Sequence, residues 1–183
     1  MFRASSSGGV LMGGSRGGRR RRAGVATYDV GMTEPTAPAG PGPLTIDESS
    51  QFGARAARHL REDPVVWLTT VSSNGAPSPN PVWFLWDGAS TVDVFSLPDA
   101  ARVRHLRANP RVALNFGGNG QGGDIVVLSG IAAPHPHAPG ADAVPEYLAK
   151  YARHIQRIGQ TPQTFAQKYS LRITVTLTRL RGF

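Results

Sequence analysis

The sequence contains no cysteine. That excludes disulfides, thiol nucleophiles and cysteine-ligated metals, and it suits a reducing compartment, so a cytoplasmic protein is expected. No apolar run approaches the roughly 18 residues a membrane helix needs, so a soluble chain with no membrane partner is expected. Acids are also scarce, 12 against 20 Lys and Arg, for a net charge of +8. The imbalance is concentrated. Residues 1–31 hold six arginines, Arg3, Arg16 and Arg19 to Arg22, against the single acid Asp29, and the rest of the chain carries 14 basic and 11 acidic residues. A protein that reads nucleic acid carries its basic patch on its folded part, so nucleic acid is not an expected partner.

Catalytic constellations are missing too. There is no Ser-His-Asp order and no acid pair on which to build a hydrolase. His59, His105 and His154 have no acid at useful spacing in this reading. His135 and His137 flank Pro136, without helical i, i+4 spacing or a neighbouring carboxylate, so no metal site is expected. The catalytic residues stay unknown at this level.

Residues 1–43 are rich in Gly, Ser, Arg and Pro without a sustained period. Such a segment cannot bury enough apolar area to offset chain entropy, so a disordered tail and Pro/Gly linker are expected. Four readings of residues 1–31 stay open: a mis-assigned start with Met32 as the alternative, a disordered extension, a transit peptide, or an arginine patch for nucleic acid or import.

One domain is expected over 44–183. Phe52, Ala56, Ala57 and Leu60 fall at helical spacing, predicting a helix over 48–62 capped by Asp47 or Ser49 and ended by Pro64. Strands follow at 64–72 and 79–88, joined at Asn74-Gly75, a hairpin signal. Further strands are predicted at 91–97, 111–118, 124–134 and 171–183. A short arginine-bearing helix lies over 99–108. A helical region spans 142–170, with Thr161 capping its second part and Pro162 at the first position. Six short, mostly hairpin-linked strands with a few helices predict a mainly β fold, a small antiparallel barrel. The second strand is apolar at every position from Val82 to Trp86, so both its faces need cover. A second copy is the simplest cover for the outer one.

The stretch "SLPDAARVRHLRANPRV", from Ser96 to Val112, poses the functional question. Arg102, Arg104 and Arg107 on one short helix are either a solvated face or an anion site. Backbone N–H groups at a helix start favour an anion, and a cation in the first turn opposes the macrodipole. A bound anion would resolve that conflict at Arg102, while Arg107 reads as a solvent residue. The loop 117–124, "GGNGQGGD", is either a mobile lip on a pocket or a long hairpin turn.

"VVWLTTVSSNGAPSPNPVWFLWDG", "VDVFSLPDAARVRHLRANPRVALNF" and "DIVVLSGIA", in that order, resemble the pyridoxamine 5'-phosphate oxidase-like split β-barrel family, over about 45–183. With "VPEYLAKYARHIQRIG" and "YSLRITVTLTRLRGF", the chain is most similar to its actinobacterial branch of F420-dependent oxidoreductases. The resemblance implies a six-stranded antiparallel split β-barrel with flanking helices, of the FMN-binding type, working as a homodimer with two equivalent cofactor sites, each in the groove between subunits. It implies a cofactor, coenzyme F420 or alternatively FMN, and a small-molecule substrate of unknown identity. The ring would lie against Val82, Trp83 and Phe84, with Asn80 freed for a polar contact by the prolines beside it. The phosphate would meet Ser96, Leu97, Arg102, Val103 and Arg104, and Lys150 and Tyr151 would reach the partner's site from the helical region over 142–170. Rivals of other classes are a flavin or haem carrier without turnover, with His105 as the candidate axial ligand, and a nucleic-acid binder acting through the arginine tail.

Overall fold

The computed structural model describes residues 42–183. Met32 as a start, the arginine run and all but the end of the linker lie outside the described residues. The elements are α1 (Gln51–Glu62), β1 (Val66–Val71), β2 (Pro77–Val82), β3 (Leu85–Trp86), β4 (Thr91–Ser96), α2 (Ala101–Ala108), β5 (Arg111–Asn115), β6 (Val126–His135), α3 (Pro145–Arg157), α4 (Pro162–Lys168) and β7 (Leu171–Gly182), with a 3-10 turn at Ala141–Ala143. Among the described residues no helix is long and apolar enough to cross a membrane.

The strands form one antiparallel sheet in the order β2-β1-β5-β6-β7-β4-β3. Its two edge strands, β2 and β3, are consecutive in the chain and separated only by Trp83 and Phe84. That connection reaches at most about 11 Å. A flat sheet of seven strands would hold its edges about 29 Å apart. The sheet must therefore curl until its edges meet, which makes it a split barrel closed at Trp83-Phe84. This is also why seven strands stand where six were expected. The predicted strand over 79–88 changes partner midway, from β1 to β4, and its ladder breaks there.

Proline stands at every second position of β2, at Pro77, Pro79 and Pro81. This suits the ladder if those residues turn their missing N–H away from β1, which leaves the edge without donors for another strand.

The apolar run alternates across the break. Val82, Phe84 and Trp86 enter the barrel core with Leu68, Val94, Leu128 and Ile173. Trp83 and Leu85 face outward onto an aromatic layer of Phe95, Tyr147, Tyr151 and Phe165. Both faces are thus covered within one chain, and a second copy is not needed for that purpose.

Ser50, not Asp47 or Ser49, caps α1, its Oγ accepting the Gly53 N–H at 3.0 Å. Asp47 instead accepts from the Ser49 N–H and hydroxyl. Thr161 caps α4 as expected, in a capping box with Thr164.

The β6–β7 register shifts at Ser129/Gly130. A Cβ on Gly130 would lie 2.6 Å from Val175 Cγ1 and 2.7 Å from the Thr176 carbonyl oxygen. Gly130→Ala is therefore expected to cost about 1–3 kcal/mol by overpacking, read as a lower urea midpoint. An unchanged midpoint would mean that the bulge relaxes freely.

His59 does have acid partners, contrary to the sequence reading. Its Nδ1 is 2.8 Å from Asp63 Oδ2 and its Nε2 3.1 Å from Asp124 Oδ2, and the ring stacks on Phe116. Asp63 sits one helical turn away, a spacing the sequence contained. Asp124 is 65 residues distant and only the fold supplies it. The hydrogen bond from His59 holds the Asp124 carboxyl below its usual range. The loop 117–124 is fastened at its end to α1 in this way.

Candidate functional site

The end of β2 and its break, the end of β4 and the start of α2 meet the aromatic layer around one cavity of about 450 Å³. That volume falls within the usual range for small-molecule sites. Val82, Trp83, Ser96, Leu97 and Arg102, all singled out from the sequence, line it. Pro81, Phe95, Ala100, Tyr147, Ile158, Phe165 and Tyr169 complete the wall. The aromatic members of this second group were readable only as the apolar stripe of a helix or as core. Nothing in their spacing says that the helices fold back over the end of β4.

The other candidates lie elsewhere. Asn80 sits on the edge strand with its amide 3.3 Å from the Ser78 carbonyl and hydroxyl. Phe84 and Val103 are in the barrel core. Arg104 donates to the Asp99 carbonyl at 3.2 Å on the exposed side of α2. His105 Nδ1 is 2.9 Å from the Thr70 hydroxyl, and His105 is not part of the wall of this cavity. The loop 117–124 contributes nothing to the wall either, which removes the lip reading for this cavity. His135 and His137 border a separate open hollow with Arg172 and Thr174.

Lys150 also points away from the cavity. Its ammonium donates to the Leu60 carbonyl at 3.3 Å and lies 3.9 Å from the centre of the Phe84 ring. It thus supplies a donor and a positive charge at the C-terminal end of α1, where orphan carbonyls favour a cation. Burial pushes the amine down to about 8 from the usual 10.5, opposed by Asp63. Between these values the unfolded chain binds the extra proton and the folded one does not. Stability should therefore rise with pH from about 8 towards 10 and fall again as pH drops through 8. Lys150→Met should flatten that rise in denaturant titrations. A rise that survives the substitution would assign it to another group.

Where the barrel splits, next to the cavity, one phenol holds the backbone. The Phe84 N–H donates to the Tyr151 hydroxyl at 3.0 Å, and that hydroxyl lies 2.8 Å from the Phe84 carbonyl and 3.0 Å from that of Pro64. Both backbone groups of Phe84, released from the ladders, are thus gathered by one phenol from α3. Next to them Trp83 stacks on Tyr151 at 5.1 Å and on Phe165 at 5.5 Å, close to parallel with each.

Arg102 is the charged group of the wall. Among the described residues it has no ion-pair partner and no side-chain hydrogen bond. Burial pushes its guanidinium down from the usual value, opposed by Tyr169, yet a guanidinium stays charged in a protein. It sits in the first turn of α2, whose N-cap, Ala100, has no side-chain acceptor to offer. Ser96 adds a buried hydroxyl at the end of β4, held to the Leu97 carbonyl at 3.2 Å. A half-buried, unpaired cation facing a space walled by aromatic rings is suited to a planar ligand that carries an anion.

The family model described as pyridoxamine 5'-phosphate oxidase matches residues 52–182. The chain is similar in fold to general stress protein 26 from Bacillus anthracis, at 11% identity and a TM-score of 0.51, covering 69% of this chain and 89% of that one. It is also similar to a protein of unknown function from Agrobacterium tumefaciens, at 20% identity and 0.50, covering 76% and 60%. An F420 reductase is 22% identical, with a TM-score of 0.49, covering 68% and 94%. Likeness at these identities is a likeness of fold. A search of curated proteins finds no match.

Proposed function

The chain belongs to the pyridoxamine 5'-phosphate oxidase family, and from that premise we propose that it is an oxidoreductase that binds coenzyme F420 beside Arg102 and reduces a small-molecule substrate. The observation that carries this reading is the unpaired, desolvated guanidinium in an aromatic-walled cavity. The residues fit such a group. Arg102 and the Ser96 hydroxyl suit its phosphate, and Val82, Trp83 and the rings beyond them suit its planar part. The F420 assignment, as opposed to FMN, rests on the resemblance of Ser96–Val112 and of the C-terminal segment.

When bound, the reduced deazaflavin supplies a hydride, a two-electron chemistry that belongs to the cofactor. The chain's part is binding and orientation. Arg102 fixes the anionic end by charge and geometry. The wall made by Trp83, Phe165 and Tyr169 excludes water from the ring's surroundings. Titration of the protein with F420 and with FMN, followed by fluorescence, tests the proposal. Preference for F420 supports it, preference for FMN moves the protein to flavin chemistry, and binding of neither removes the mechanism.

We further propose that the protein works as a homodimer through the outer face of β1, β5 and β6, where Trp67 and Ile131 are 41% and 40% exposed. Trp67→Glu should then convert a dimer to a monomer in sedimentation. A wild-type monomer would sink this proposal.

A further inference from the structure

Away from the cavity, a cluster of charged side chains joins α1 to the end of the loop 117–124. His59 is at its centre and is 6% exposed. Its Nδ1 faces Asp63 Oδ2 at 2.8 Å, one turn along α1, and its Nε2 faces Asp124 Oδ2 at 3.1 Å, at the end of the loop. An ionised carboxylate oxygen only accepts. A neutral imidazole has one N–H, so it can serve one of these carboxylates and turns a lone pair on the other. The imidazolium, with both nitrogens protonated, donates to both.

The two contacts differ in what they hold. The bond to Asp63 lies within one helix. The bond to Asp124 spans 65 residues and ends on a residue with φ of +56°, the one non-glycine among those described in the left-handed region. Such a backbone persists where its surroundings hold it. Within the loop the side-chain hydrogen bonds are local, from Gln121 and Gly123 to Asn119. Among the described residues, every ion pair and side-chain hydrogen bond from the loop to α1 runs through Asp124. Arg55 and Arg58 also face it, at 3.4 and 3.8 Å, but Arg55 Nε and Asp124 Oδ1 are both buried without a hydrogen bond. His59 is therefore the group that bonds the loop to the helix. Phe116 of β5 stacks on its ring and brings no charge, and Lys150 of α3 acts on Asp63.

We propose that His59 is a proton-operated latch, which as an imidazolium fastens the loop 117–124 to α1 through Asp124 and on losing its proton keeps Asp63 and releases Asp124. The bare Nε2 of the neutral ring then turns to the Arg58 guanidinium, already 3.5 Å away. The latch is closed on the acid side and opens as pH rises. The hydrogen bond from His59 holds the Asp124 carboxyl below its usual range, so closure survives acidification through that range. No residue of this cluster lines the cavity, and the latch is independent of the cofactor.

The chain has no cysteine, so Gln121→Cys places a single nitroxide on an exposed loop residue. Electron paramagnetic resonance of the labelled full chain should show a slow spectrum at pH 6 and a fast one at pH 9. Adding His59→Gln should remove this step, because the amide does not titrate. If that variant does not fold, Asp124→Asn should remove it instead. Lys150 titrates in the same range, so the step should persist in Lys150→Met. One spectrum at both pH values in the labelled parent would overturn the latch. So would a step that survives either His59→Gln or Asp124→Asn, or one that vanishes in Lys150→Met.

Discussion

Arg102→Ala is expected to weaken the binding of F420 or FMN by about 10- to 100-fold, because it removes a charge-assisted contact of about 1.5–3 kcal/mol. The fold should not suffer. Arg102 has no ion-pair or hydrogen-bond partner among the described residues, and burial already disfavours its charge. The Tm should accordingly stay level or rise slightly. Arg104→Ala is the matched control, since Arg104 bonds the Asp99 carbonyl outside the cavity. It should leave affinity unchanged. Equal losses in the two variants would point to a diffuse positive field and not to a site. No loss in Arg102→Ala would return this residue to an ordinary solvated face.

The second large effect is on stability. Tyr151→Phe should destabilise the protein by about 2–4 kcal/mol, with a Tm fall of roughly 10 °C. The cause is specific. The barrel can close only if the chain leaves β1 and joins β4 within two residues, and the price is that Phe84 exits both ladders. One phenol accepts its N–H and lies 2.8 Å from its carbonyl. Without that oxygen two backbone groups stay buried and unpaired. A loss below about 1 kcal/mol would mean that water replaces the hydroxyl at little cost. The contrast with Tyr147→Phe, expected to be neutral or stabilising because the buried Tyr147 hydroxyl has no hydrogen-bond partner among the described residues, makes the pair a test that ring packing alone cannot satisfy.

Much of the fold was legible because the local signals agreed. Asn74-Gly75, the Thr161 cap, Pro64 after the first helix and the alternation of Ile173, Val175 and Leu177 each mark an element that is present. The break at Trp83-Phe84 was not legible, since five consecutive apolar residues look like one buried strand. Their division between two clusters follows from closure of the barrel, a property of the whole sheet. The same run suggested a partner subunit, whereas α3 and α4 cover its outer face from within the chain. At the site, the strand end and Arg102 could be read because polar residues and a helix start fall together there. Tyr147, Phe165 and Tyr169 could not, because aromatics at helical spacing look alike whether they face a core or a cavity. Asp124 was hidden from His59 by sequence distance alone.

The most direct test of the central claim is a crystal structure of the protein saturated with F420, or with FMN if that binds better. The account predicts the phosphate within hydrogen-bonding distance of Arg102 and the ring in the cavity between the Trp83 break and α3. A ring bound elsewhere, or a phosphate held by another cation with Arg102 left in solvent, would contradict it.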